Sequence, residues 1–114
     1  EAGGRAIAVA CNVTDSASVD RAMERAVAAF GRMDVLVHAA GGSARSAMKP
    51  LIEQTDEVIR SVLGVNLLGG IYASRAAARE MVRQGEGGRI VTFPRWWRWR
   101  ACAGAWNTRR RRAA

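Results

Sequence analysis

The sequence predicts an α/β fold, a βαβαβ part of a doubly wound parallel sheet, over residues 1–93 of a 114-residue chain. Two observations carry this. Val35-Leu36-Val37 is a short unbroken apolar run with two β-branched residues, begun by a charged turn and left through small residues to Gly41-Gly42, which reads as a strand buried on both faces. On either side of it, stretches with apolar residues at helical spacing alternate with short apolar runs, the order expected of parallel strands joined by crossover helices. Small residues just after the carboxyl end of such a strand let a ligand lie against the backbone. The candidate site therefore begins at His38.

Ala6 to Cys11 is apolar throughout, preceded by Gly3-Gly4 and followed by the polar Asn12-Val13-Thr14-Asp15, and predicts the first strand. Asp15 or Ser16 is placed to cap a helix whose apolar positions Val19, Ala22, Met23, Ala26, Val27 and Phe30 recur every three or four residues, with Gly31 as its stop. The organising strand follows at 34–38. After a loop reaching Pro50, Thr55 offers a second cap, with Asp56 and Glu57 in the first turn, where the helix dipole favours negative charge. The helix it starts extends over 55–84 and ends in Gly85-Glu86-Gly87-Gly88. Glycines 64, 69 and 70 each weaken it by about 1 kcal/mol, which predicts a kink or a close helix contact near Asn66. Arg89-Ile90-Val91-Thr92-Phe93 is the last predicted strand.

The charge distribution divides the chain at Phe93. Seven of the 18 basic residues, and none of the ten acidic ones, fall in residues 94–114, which leaves 11 basic against ten acidic groups in residues 1–93. All four tryptophans, Trp96, Trp97, Trp99 and Trp106, lie in that same tail. Cys11 and Cys102 have no CxxC spacing and no histidine cluster beside them, which predicts neither a disulfide framework nor a zinc site and sets a cytoplasmic location as the default. No 18-residue apolar run and no basic-then-apolar leader is present. The start at Glu1, without methionine, is expected to reflect an amino-terminal truncation.

Four segments in register carry a family resemblance: Asn12-Val13-Thr14-Asp15, then Phe30-Gly31-Arg32-Met33-Asp34-Val35-Leu36-Val37-His38-Ala39-Ala40-Gly41, then Val65-Asn66-Leu67, then Gly88-Arg89-Ile90-Val91. With these, residues 3–93 resemble the middle of a classical short-chain dehydrogenase/reductase. The resemblance implies a Rossmann-like fold, NAD or NADP as cofactor, hydride transfer between the nicotinamide and a small ketone or secondary alcohol, and a homo-oligomer formed through the long helix 55–84. It also implies site residues. Asn12 and Val13 match the pair that holds the adenine ring, and an amide can hydrogen-bond an exocyclic amine almost as a carboxylate does. Ala39, Ala40 and Gly41 fall where backbone approaches the cofactor, with His38 and Ala39 standing where the family has two asparagines. Asn66 matches the catalytic asparagine, which positions a water in a proton relay to a lysine. Tyr72 is followed four positions later by Ala76 and so does not match the family's Tyr-x3-Lys. The family's glycine-rich phosphate-binding turn, its serine and its Tyr-x3-Lys have no counterpart in these residues. The expectation is a truncated, inactive fragment of the dinucleotide-binding domain.

In the family's strand order, 3-2-1-4-5, the strand at 34–38 should pair in parallel with that at 89–93. The segment 6–11 loses the two neighbours that would separate it from 34–38, so it must re-pair there or lie exposed. For residues 94–114 two expectations stand: a disordered or frame-shifted extension, or a module whose arginines and tryptophans bind nucleic acid or an anionic surface by phosphate pairing and base stacking. A frame change is attractive because tryptophan has a single codon, so four of them crowded among arginines are what a glycine-rich stretch becomes out of phase.

Overall fold

The computed structural model describes residues 3–42 and 49–93. Both expectations for the Arg/Trp tail fall on residues 94–114, outside the described residues. The elements are α1 (Ser16–Phe30), β1 (Val35–His38), α2 (Asp56–Leu63), α3 (Gly69–Gln84) and β2 (Arg89–Thr92). A single 3-10 turn, Leu51–Glu53, precedes α2, and a π-helical turn, Gly64–Leu68, joins α2 to α3.

The first helix is specified at both ends. Asp15 holds an extended conformation, and its carboxylate accepts from the Ala17 and Ser18 amides at 3.1 and 3.2 Å, filling two of the donors a helix leaves unpaired at its start. Gly31 closes it at φ 84°, in the left-handed region, donating its N–H to Val27 at 2.7 Å. Thr55 caps α2 through its hydroxyl, which accepts from the Val58 amide at 3.4 Å, and Gly85, at φ 78°, ends α3.

The kink expected near Asn66 takes a defined form. Gly69 donates its N–H to the Gly64 carbonyl, an i to i+5 bond that widens the helix by one residue for a single turn. Both glycines keep helical dihedrals. The helix expected over 55–84 is thus one continuous rod with a π-turn in its middle.

β1 and β2 form a two-stranded parallel sheet in the register Val35 to Arg89 through His38 to Thr92. The ladder is extended by Arg89 N–H to the Asp34 carbonyl and Phe93 N–H to the His38 carbonyl, both at 2.9 Å. This is the pairing expected of 34–38 and 89–93. Two other expectations are corrected. Residues 6–11 form no strand: they run beside α1, tied by the Arg5 guanidinium to the Ala29 carbonyl (3.4 Å) and by the Asn12 N–H to the Ser18 hydroxyl (2.9 Å). An apolar run becomes a strand only where a neighbour completes its ladder, and among the described residues none adjoins it. Nor is β1 buried on both faces. Leu36 and His38 point into the structure, whereas Val35 and Val37 on the opposite face are 53% and 58% exposed.

The core lies between α1, α3 and the inner face of β1. Val19 is its largest fully buried side chain and meets Ala73 and Ala76, with Met23, Leu36 and Tyr72 packed around them. Alanines on α3 let α1 approach closely, which is why so few large residues close this layer. Tyr72 is an ordinary core tyrosine, with the Arg75 guanidinium 5.3 Å above its ring.

Candidate active site

The π-turn organises everything at the carboxyl end of β1. The glycines at its two ends face the loop before α1: a Cβ at Gly69 would stand 3.0 Å from Val13 Cγ2, a close approach, and one at Gly64 would stand 3.7 Å from Thr14 Cγ2, an ordinary contact. The Asn12-Val13-Thr14 turn is therefore seated directly on the turn that carries Asn66. From the other side Gly42 arrives. Its N–H donates to Asn66 Oδ1 at 3.1 Å, and its carbonyl accepts from Asn66 Nδ2 at 2.6 Å. The second Nδ2 hydrogen goes to the Val62 carbonyl at 2.8 Å, one helical turn back. An asparagine in mid-helix competes with the backbone for such bonds, and here the competition accompanies a π-turn and holds a loop.

Asn12 and Val13 on one loop, Asn66 on the π-turn and the start of the Ala39–Gly42 loop are thus brought to one end of the structure. Asn12 is constrained in an unforeseen way. Its Oδ1 accepts from both the Thr14 amide (3.1 Å) and the Thr14 hydroxyl (2.8 Å), the geometry of an Asx turn. Both lone pairs of that oxygen are occupied, so the amide offers a ligand its Nδ2 donors rather than an acceptor. Ala39 and Ala40 are exposed, and Gly41 and Gly42 half-buried.

His38 is the one buried polar residue among the described residues, 8% exposed, and its Nε2 has no hydrogen-bond partner there. Gly70 makes room for the ring: a side chain there would lie 3.4 Å from His38 Cδ2 and Nε2. This is a packed histidine between sheet and helix. Sequence reasoning missed Gly69 and Gly70 as seats for Val13 and His38, although three glycines in a helix already announced close packing. It also missed Gln84, whose carboxamide binds the backbone of Met33 at the start of β1.

At that same start, Arg32 bonds Asp34 and Glu86, each at 2.6 Å. The hydrogen bond to Asp34, then that to Glu86, raises the arginine's pKa above its ordinary value, so the group stays charged at any accessible pH. No cluster of metal-ligating side chains occurs among the described residues, and no helix there is long and apolar enough to cross a membrane.

The family model for short chain dehydrogenase matches residues 1–93. The chain belongs to this family. It is 35% identical over 93 residues to sorbitol dehydrogenase from Cereibacter sphaeroides, covering 82% of this chain and 35% of that protein. It is 38% identical over 89 residues to L-rhamnose 1-dehydrogenase (NAD(P)(+)) from Azotobacter vinelandii, covering 78% of this chain and 34% of that one. The crystal structure of a short-chain type dehydrogenase/reductase from Mycobacterium marinum superposes with a TM-score of 0.74 at 30% identity, over 79% of this chain and 35% of that chain. The architecture is accordingly a part of a Rossmann-type α/β fold, and the chain spans about a third of the length of the relatives it matches. NAD or NADP is the cofactor of the family.

Proposed function

We propose that this chain is the central part of an NAD(P)-dependent oxidoreductase acting on a small carbonyl or alcohol substrate, and that its contribution is to seat the adenosine side of the cofactor. The observation that carries the reading is the reciprocal pairing of Asn66 with Gly42. It fixes the outer end of a loop whose exposed residues, Ala39 and Ala40, carry only methyl groups, so a flat ring or a ribose can come against the backbone. These residues fit the adenosine half. Val13 would flank the base, Asn12 would donate to it through Nδ2, and Ala39, Ala40 and Gly41 would present backbone to the ribose. The nicotinamide supplies or accepts the hydride when the cofactor is bound. Asn66 acts here as a positioning residue, through the loop it holds.

Without a glycine-rich turn at a helix amino terminus, the pyrophosphate gains no backbone N–H contacts from the described residues. Affinity is therefore expected near 1 mM, about −4 kcal/mol. Titration of the chain with NADH and NADPH, read by nicotinamide fluorescence, tests this. Ala40→Glu, at an exposed position that the fold tolerates, should abolish saturation by setting a carboxylate against the cofactor's phosphates. No saturable signal from either nucleotide, or an unchanged one in Ala40→Glu, would overturn the assignment.

The reading also includes self-association through the long helix. Ile59, Leu63, Leu67 and Ile71 recur every fourth residue and are all exposed. In an α-helix a spacing of four drifts by about 40° per step, and the wider π-turn between Leu63 and Gly69 takes back part of that drift. The four side chains consequently stay on one stripe, which a second copy's stripe would cover. Sedimentation velocity should show a dimer that Leu67→Glu converts to monomer; a wild-type monomer at 100 μM would remove this part of the proposal.

A further inference from the structure

Two carboxamides grip β1, one at each end, and they come from the same rod of helix. At the start, Gln84 Oε1 accepts from the Met33 N–H at 2.6 Å and its Nε2 donates to the Met33 carbonyl at 2.9 Å, both in a part-buried setting. Beyond the carboxyl end, Asn66 does the same to Gly42, at 3.1 and 2.6 Å. Each side chain satisfies both backbone groups of one residue, as a neighbouring strand would. The spans agree. From Asn66 to Gln84 the helix rises about 27 Å at 1.5 Å per residue, and from Met33 to Gly42 an extended chain covers about 30 Å at 3.3 Å per residue.

Packing alone would not set this alignment. The face of β1 turned toward α3 offers only Leu36 and His38, and what they meet on α3 is small: Gly70 beside His38, and Ala73 and Ala76 in the cluster against which Leu36 packs. Apolar contact is non-directional, and a two-residue slip would return the same side-chain face to the helix. A carboxamide paired with one residue's N–H and C=O is directional and accepts a single register.

We propose that Gln84 is a positioning residue for the Ala39–Gly42 loop. With Asn66 it adds to the ladder with β2 in setting where β1 lies along the helix, and so where the loop stands. The claim that the loop then meets the cofactor rests on the function proposed above; the staple itself does not.

Hydrogen exchange on the full chain, resolved to single amides by NMR, tests the staple without any cofactor. In the wild type both the Met33 and Gly42 amides are expected to be protected. Gln84→Met keeps the side chain's volume and removes both bonds, and it should release Met33. It should also accelerate exchange at Gly42, at the far end of the strand, by about tenfold, while the amides of α1 around Val19 keep their rates. Asn66→Ala should do the converse. Gln84→Glu, which accepts from the Met33 N–H but cannot donate to its carbonyl, should fall between. Acceleration confined to Met33, or spread equally over α1, would overturn the proposal. NADPH titration of Gln84→Met separates the two readings: weaker binding is expected where the wild type binds, and a wild type that binds nothing defeats the cofactor reading while the exchange result still decides the staple.

Discussion

Purified as these 114 residues, the protein is expected to reduce no ketone and oxidise no secondary alcohol above a buffer control. Hydride transfer to a carbonyl leaves an alkoxide that needs a proton, and general acid assistance of that kind is usually worth about 10²–10⁴ in rate. The family's donor is a tyrosine with a lysine four residues on. This chain has a single tyrosine, Tyr72, and a single lysine, Lys49. Tyr72 is packed against Val19, Ala73 and Ala76 on the side of the core and is followed four positions later by Ala76. Its ring is packed into the interface between α1 and α3. The weak cofactor affinity argued above adds a second loss, because a nicotinamide without anchored phosphates has no fixed orientation. The measurement is a panel of ketones and secondary alcohols with NADH, NADPH and their oxidised forms. Turnover above control that Asn66→Ala abolishes would show that another group donates the proton and that these residues suffice.

How much could be read in advance follows from where each feature's cause lies. Local causes were legible. Asp15 and Thr55 at helix starts, and Gly31 and Gly85 at helix ends, act through side chains or dihedrals within a few residues of themselves, and the structure puts them where the sequence pattern does. The parallel pairing of β1 with β2 followed from the family's strand order. Features that depend on a distant neighbour were legible only in part, although the loss of its neighbours already left segment 6–11 either to re-pair or to lie exposed, and it lies exposed. Ala6 to Cys11 has the composition of a strand, yet a ladder needs a second chain segment, and none lies beside it among the described residues. The same reasoning covers Val35 and Val37, whose apolar side chains lie on the open face of the sheet. At the site, glycines 64, 69 and 70 announced an irregularity at Asn66, but whether a helix kinks, bulges or simply packs closely depends on what bonds its carbonyls. Here Asn66 takes the Val62 carbonyl while holding Gly42. Gln84 gave no signal, since a glutamine in the last turn of a helix ordinarily faces water, and only its 51-residue reach to Met33 sets it apart.

Gly69→Val is expected to destabilise the fold by about 1–3 kcal/mol, the range for side chains forced into occupied space, whereas Gly64→Ala should stabilise it by up to about 1 kcal/mol. The two glycines make a matched comparison. They flank the same π-turn, and both have right-handed helical dihedrals, φ −56° and ψ −50° at Gly64 and φ −58° and ψ −42° at Gly69. Replacing either one restricts the unfolded chain in the same sense, and the sign of the net effect is decided by the neighbour, to which valine's helix propensity, lower than alanine's, adds at Gly69. At Gly64 an added Cβ meets only Thr14 Cγ2 at 3.7 Å, an ordinary contact. At Gly69, which is buried, it meets Val13 Cγ2 at 3.0 Å, Val13 Cβ at 3.1 Å and the Val13 carbonyl oxygen at 3.3 Å, and valine's two methyl groups would extend into the same atoms. The Asn12-Val13-Thr14 turn must move outward to relieve this, and it cannot do so freely while Asn12 and Asp15 tie it to the start of α1. In a core whose largest fully buried side chain is Val19, such a loss is a large fraction of the available stability. Urea unfolding followed by circular dichroism measures both variants. A Gly69→Val midpoint equal to the wild type would mean that Val13 is not seated on the helix, and the placement of Asn12 and Val13 beside the loop after β1 would fail with it.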